Sequence, residues 1–171
     1  MTNQEAKIFA QKMFQENNEI KVEVLDGGKM TTKAHTSDAG WDLSATEDIT
    51  IYPGQVMKHP LNIRLELPKN TWAEITSKSG LGAKGLMVYA GVIDQGYRGI
   101  PHVVFTNLWI IDQIDEQGYP LMRTQPIVIK KGEKLAQLIM NPYSETFYMT
   151  QVDKIDTETT RGASGFGSSG K

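Results

Sequence analysis

Residues 20–28 read Ile-Lys-Val-Glu-Val-Leu-Asp-Gly-Gly. Ile20, Val22 and Val24 alternate with Lys21 and Glu23, the period of a strand with one buried face, and Asp26-Gly27-Gly28 then turns the chain. The pattern returns downstream, where Ile63, Leu65 and Leu67 alternate with Arg64 and Glu66 before Pro68-Lys69-Asn70. Further β-like runs are Trp72–Ile75, Gly85–Ala90, His102–Leu108, Ile127–Ile129, Leu135–Met140 and Phe147–Val152. Many short strands between Gly, Pro and Asn turns, with no βα alternation, predict an all-β sandwich or barrel-like fold.

Outside this β region the pattern changes at both ends. Ala6, Phe9, Ala10, Met13 and Phe14 form one apolar stripe of helical period, and Thr2 with Glu5 has capping-box spacing. A short helix over about residues 1–18 is therefore expected, docked on the body of the protein or offered to a partner. The β core is expected over 19–156. Residues 157–171 end in Arg-Gly-Ala-Ser-Gly-Phe-Gly-Ser-Ser-Gly-Lys, a composition too glycine-rich for a core, and read as a flexible arm.

The chain has 171 residues, enough for one domain that buries about 70% of its unfolded surface. It has no Cys, which excludes disulfides, thiolate metal sites and a Cys nucleophile, and its three His are scattered. A formal net charge of −2 gives no electrostatic reason to expect nucleic-acid binding. The longest apolar runs, such as Leu108–Ile111, fall far short of the ~20 residues that span a membrane. No apolar leader is evident at the N-terminus, so a soluble cytoplasmic domain is expected.

Five stretches could carry chemistry. In the arm, Arg161 offers a bidentate fork for phosphate, and Phe166 sets an aromatic face between Gly165 and Gly167. Ser77-Lys78-Ser79-Gly80-Leu81-Gly82 could wrap an anion, or be an ordinary turn; it lacks P-loop spacing. Gly91-Val92-Ile93-Asp94-Gln95-Gly96-Tyr97-Arg98-Gly99 reads as two apolar strands joined by a polar turn, with Asp94 either a general base or a turn-stabilising carboxylate. Tyr97 could pack on a sugar or serve as a cross-strand aromatic. Asp38 and Asp42 flank Gly40; either could hold a hydrated Mg²⁺, although Asp42 is expected to be a solvated loop acid. Gly132–Gln137 enters a strand, where Gln137 could offer its amide to phosphate or water.

Taken in order, these stretches resemble the five signature motifs of the trimeric dUTPases (deoxyuridine 5′-triphosphate nucleotidohydrolases). Ala34–Leu43 is similar to the first, Ser77–Gly82 to the second, Ala90–Gly99 to the third, Gly132–Gln137 to the fourth and Arg161–Gly170 to the fifth. The resemblance implies a distorted jelly-roll of the β-clip type, a homotrimer with shared active sites, and hydrolysis of dUTP to dUMP and pyrophosphate with Mg²⁺. It implies that Asp94 activates the attacking water and that Tyr97 packs under the deoxyribose, leaving no room for a 2′-hydroxyl. The backbone of Gly91, Val92 and Ile93 would read uracil. Lys78, Ser79, Gly80 and Gln137 would contact phosphates, Asp38 would reach the metal through water, and Arg161, Phe166, Gly167 and Ser168 would close over the substrate. A dCTP deaminase on the same fold would need an acid positioned to activate water at the cytosine ring, whereas the third stretch reads as the dUTPase type.

Three departures stand out. Lys78 replaces the usual arginine, giving one compact charge and no planar fork. The N-terminal helix is extra to the usual core. The connection over about 108–125 is longer than usual and carries Trp109, Ile110, Ile111, Tyr119, Leu121 and Met122. It is expected to be an extended hairpin packed on the trimer, or a docking surface for a regulatory protein, as in some bacteriophage dUTPases of this kind.

Overall fold

The computed structural model describes residues 4–8, 18–108, 111–122, 125–144 and 146–155. Residues 4–8 and 18 are helical; residues 1–3 and 9–17 of the expected helix, and the whole arm from Arg161, lie outside the described residues. The remainder is built from strands paired antiparallel: β1 (Lys21–Val24), β2 (Gly40–Ser44), β3 (Ile49–Ile51), β4 (Val56–Pro60), β5 (Ile63–Glu66), β6 (Thr71–Thr76), β7 (Leu86–Ala90), β8 (Val92–Ile93), β9 (His102–Asn107), β10 (Ile111–Ile114), β11 (Pro120–Met122), β12 (Ile127–Ile129) and β13 (Lys134–Pro142).

The largest sheet runs β2-β13-β6-β8 and the next β4-β9-β7; β1-β5, β3-β12 and β10-β11 form two-stranded ribbons. Leu43, Ile75, Ile93 and Leu138 from the first sheet and Leu86, Val103 and Phe105 from the second lie in one buried cluster with Ile51, Ile63 and Ile129 from the ribbons. Each of these strands thus contributes its alternate apolar positions to a shared core, the arrangement of a jelly-roll-like sandwich. The all-β expectation holds.

Three local expectations change. Asp42 is in strand β2, not in a solvated loop, and it is buried. The third stretch is not a hairpin: of its two expected strands only Val92–Ile93 forms, as β8 paired with β6, while residues 94–99 form no strand; and because β7 pairs with β9, the chain crosses between the two main sheets at Gly91. A Cβ at Gly91 would overlap the Ile75 carbonyl, and the Gly91 carbonyl accepts the Ile75 N–H at 2.8 Å, so only a glycine allows this approach. Finally, Phe147–Val152 forms no strand, and Phe147, Tyr148 and Met149 are almost fully exposed. The apolar run there meets no neighbouring strand in the single chain. The segment 108–125 does contain the expected hairpin, β10-β11, turned around Asp115, whose Oδ1 accepts the N–H groups of Gln117 (3.0 Å) and Tyr119 (2.7 Å).

Candidate active site

Register across the large sheet gathers the first, second and fourth stretches. Asp42 on β2 stands opposite Gln137 on β13, which stands opposite Thr76 on β6, and Ser77 and Lys78 follow at the end of β6. The Gln137 side-chain amide donates to the Ser77 carbonyl at 3.0 Å, and the Ser77 hydroxyl accepts the Val88 N–H at 2.9 Å. Gln137 thereby fixes the turn that carries Ser79 and Gly80. Both of these are exposed, on a single helical turn, Ser79–Gly82. A Cβ at Gly80 would meet only open space, so nothing within the chain demands glycine there.

Asp42 holds the centre of this cluster. Lys78 Nζ bonds its Oδ1, and Lys134 Nζ lies 2.6 Å from its Oδ2; the Asp42 side chain is only 11% exposed. Burial alone would raise the carboxyl pKa, but the hydrogen bonds from Lys134 and Lys78 outweigh it and hold Asp42 below the ordinary carboxylate value. The pair of ammonium groups exceeds the one carboxylate in charge, leaving the cluster electropositive beside Ser79 and Gly80. Sequence reasoning missed Lys134 and misplaced Asp42. The strand register that joins them has no local signature; the only hint was that Lys134 opens the same stretch as Gln137.

Asp38 sits at the rim, half-buried. One of its oxygens accepts the His35 N–H at 2.9 Å, which orients the carboxylate. Lys33 braces the same loop, its ammonium 4.0 Å above the Trp41 ring and donating to the Asp38 carbonyl at 2.5 Å. A single carboxylate oriented in this way fits Mg²⁺, which keeps its waters and takes few carboxylates.

The third stretch lies along the other side of β6. Gly91–Ile93 runs beside Ile75–Ala73, so Asp94 emerges near Trp72. Asp94 lines a cleft of about 590 Å³ with Trp72, Val92, Gln95, Gly96 and Tyr143. Gln95 is pinned there, its Oε1 accepting the Asn70 N–H (2.9 Å) and the Tyr143 hydroxyl (3.0 Å). The Asp94 carbonyl accepts the Tyr97 N–H at 3.0 Å, which tightens the turn. Gly91, Val92, Ile93 and Tyr97 line a smaller pocket of about 200 Å³ with Ile75, Pro101 and His102. This is space for a small heterocycle rather than a drug-sized ligand. Arg161, Phe166, Gly167 and Ser168 lie outside the described residues.

The dUTPase family model matches residues 26–114 and 121–170. The chain belongs to the dUTPase family. The unmatched residues 115–120 are the tip of the β10-β11 hairpin, where this dUTPase departs from its family. The deoxyuridine 5′-triphosphate nucleotidohydrolase of Gloeothece citriformis is 34% identical over 157 residues, covering 88% of this chain and 96% of the relative. The Pol polyprotein of caprine arthritis encephalitis virus is 37% identical over 141 residues; the match covers 78% of this chain but only 11% of the polyprotein. Among solved structures, the dUTPase of Staphylococcus bacteriophage 80alpha with dUPNHPP superposes with a TM-score of 0.70 at 27% identity, covering 90% of this chain and 99% of that one. That structure is described in terms of phage dUTPases controlling transfer of virulence genes by a proto-oncogenic G protein-like mechanism. A point mutant of the dUTPase from phage phi11 of S. aureus (TM-score 0.65, 26% identity, 80% of this chain and 98% of that one) is described as coordinating a structural Mg(II) ion.

Proposed function

We propose that this dUTPase hydrolyses dUTP to dUMP and pyrophosphate in the cytoplasm, as a homotrimer whose active sites are shared between copies. The observation that carries the shared site is the separation of Asp94 from the phosphate cradle. Asp94 emerges beside Trp72 and the cradle begins at Ser77, five strand residues or roughly 17 Å along β6. A general base must reach its water within a hydrogen bond, and this separation supports a site in which the cradle comes from another copy. A second copy brings them together.

In the assembled site the pocket at Gly91–Ile93 and Tyr97 receives the deoxyuridine, while Ser79, Gly80, Lys78 and Gln137 of a neighbouring copy hold the triphosphate. Asp94 takes a proton from water as its oxygen bonds to the α-phosphorus, and the bond from that phosphorus to the bridging oxygen breaks to release pyrophosphate. Catalysis of this kind rests on positioning and on charge neutralisation. Mg²⁺, held through water by Asp38, supplies part of that neutralisation when bound. Arg161 and Phe166 close the arm over the substrate and exclude bulk water.

Purified protein with Mg²⁺ releases pyrophosphate from dUTP and far less from dCTP, dTTP or UTP. Asp94→Asn retains dUTP binding and loses turnover by about 10²–10⁴-fold; near-normal turnover would remove Asp94 from its role. Mixed assembly of Asp94→Asn copies with Ser79→Ala, Gln137→Ala copies restores part of the activity, because one intact half from each can meet. No restoration would argue against sites shared between copies.

A second role is favoured by the β10-β11 hairpin, which exposes Ile114, Tyr119 and Leu121 around the tip that the family model leaves unmatched. We infer that this surface docks a regulatory protein. Replacing 115–120 by a Gly-Ser turn leaves dUTP turnover and assembly unchanged; loss of either would instead assign the hairpin to the enzyme.

A further inference from the structure

Tyr97 folds back over the turn that follows it. Its hydroxyl donates to the Ile100 carbonyl at 3.1 Å, and the ring lies directly over Gly99. A Cβ at Gly99 would overlap the Tyr97 hydroxyl and stand 2.6 Å from Cζ and 3.0 Å from Cε2. Non-bonded carbons prefer about 3.5–4.0 Å, so this ring position and a side chain at 99 exclude each other. The Gly99 backbone is outside the left-handed region and would accept any residue. The need for glycine therefore comes from the ring, not from the turn.

We propose that Gly99 is a positioning residue for sugar selection: by leaving the Tyr97 ring its seat, it holds that ring where the ring excludes a 2′-hydroxyl. The inference rests on the reading of Tyr97 given above. Rejecting one extra hydroxyl by shape depends on a wall held in place, and such a wall is worth on the order of 10² in discrimination. Tyr97 is 44% exposed, so a displaced ring has solvent to swing into. A Cβ at 99 then costs little stability, and the loss falls on specificity.

The test is the ratio of kcat/KM for dUTP to that for UTP, measured on the full-length protein. Gly99→Ala is expected to lower this ratio at least about tenfold, mainly through faster use of UTP. Tyr97→Leu provides the reference. If Tyr97→Leu leaves the ratio unchanged, the ring does not select the sugar, and the inference falls with the reading beneath it. If Tyr97→Leu lowers the ratio and Gly99→Ala does not, the inference alone is overturned. Adding Gly99→Ala to Tyr97→Leu is expected to change nothing further, since the shorter side chain no longer reaches residue 99. A second tenfold loss there would show that Gly99 acts by another route and would overturn the proposal. Should Gly99→Ala alone fail to fold, the double variant decides: it folds if the ring is what the Cβ meets, and a failure to fold refutes that.

Discussion

Replacing Asp42 by Asn tests the centre of the cluster it forms with Lys78 and Lys134. The substitution keeps the shape of the side chain and removes its charge, leaving the Lys78 and Lys134 ammoniums beside a neutral amide whose own N–H groups point at donors. Removing one partner of a buried ion pair costs about 3–5 kcal/mol, whereas exposed pairs are worth about 0.2–1 kcal/mol. The Lys134 side chain is 52% exposed and belongs near the lower scale; that of Lys78, at 26%, falls between the two. The expected loss is about 2–3 kcal/mol. In urea, with a slope near 2 kcal/mol/M, the unfolding midpoint falls by about 1 M. The melts are compared at one protein concentration, because assembly adds to apparent stability. Adding Lys78→Met to Asp42→Asn removes an uncompensated ammonium and recovers about 1 kcal/mol, although Lys78→Met in the native background is destabilising. The sign with pH follows from the lowered carboxyl pKa: the contribution is complete above the ordinary value of 3.8 and is lost as pH falls through the lower folded value. A midpoint shift under about 0.3 M would refute the reasoning, as would equal cost of Lys78→Met in both backgrounds.

Gly91→Ala places a Cβ into the Ile75 backbone, which cannot swing aside, and should cost about 2–3 kcal/mol, read as a fall of about 5–10 °C in melting temperature. His59 is buried and its Nε2 accepts the Thr46 N–H at 3.0 Å; burial pushes its pKa below 6.5, although Glu47 opposes this. The unfolded chain therefore binds a proton below pH 6.5 that the folded one resists, and stability measured in urea declines as pH falls from there. His59→Gln, which accepts the same N–H without titrating, should flatten that slope. Ending the chain after Thr160 removes Arg161 and Phe166 together and should lower kcat/KM for dUTP by about a hundredfold while leaving the melting temperature of the core unchanged.

Where the sequence was legible, the information was local. Alternation identified β1 and β5, and apolar runs marked β9, β12 and β13; β5 and β12 bury every second residue within their own few residues. The reading failed at Gly40–Ser44, where an aspartate in the middle of the run argued for solvent. The lysines that make Asp42 tolerable in a buried strand come from other elements, Lys78 lying 36 residues downstream. The reading failed again at Phe147–Val152, where an apolar run has no neighbouring strand in the single chain, and at Gly91–Gly99, which reads as two strands joined by a polar turn. The decisive fact there is that Val92–Ile93 pairs with β6, beyond the reach of any short window, rather than with the residues after the turn. Site residues followed the same division. Asp94, Tyr97, Ser79 and Gln137 stood in recognisable order along the chain, whereas Lys134 and Gly99 became visible only through the partners they meet in space.

The same contrast bears on how the catalytic geometry is held. Each half of the site is fixed by contacts inside one chain: Gln137 to Ser77, Lys78 and Lys134 to Asp42, Gln95 to Asn70 and Tyr143. In the proposed function these contacts give each copy one arranged nucleoside pocket and one arranged phosphate cradle. Ordering groups before the substrate arrives removes that cost from the chemical step. In the proposed function, bringing Asp94 to a cradle whose start, Ser77, lies roughly 17 Å along β6 from Trp72 in its own chain falls to assembly. On this reading, variants at the copy-to-copy contacts lower turnover without disturbing either half, whereas Asp42 and Gly91 variants damage one half and the fold together.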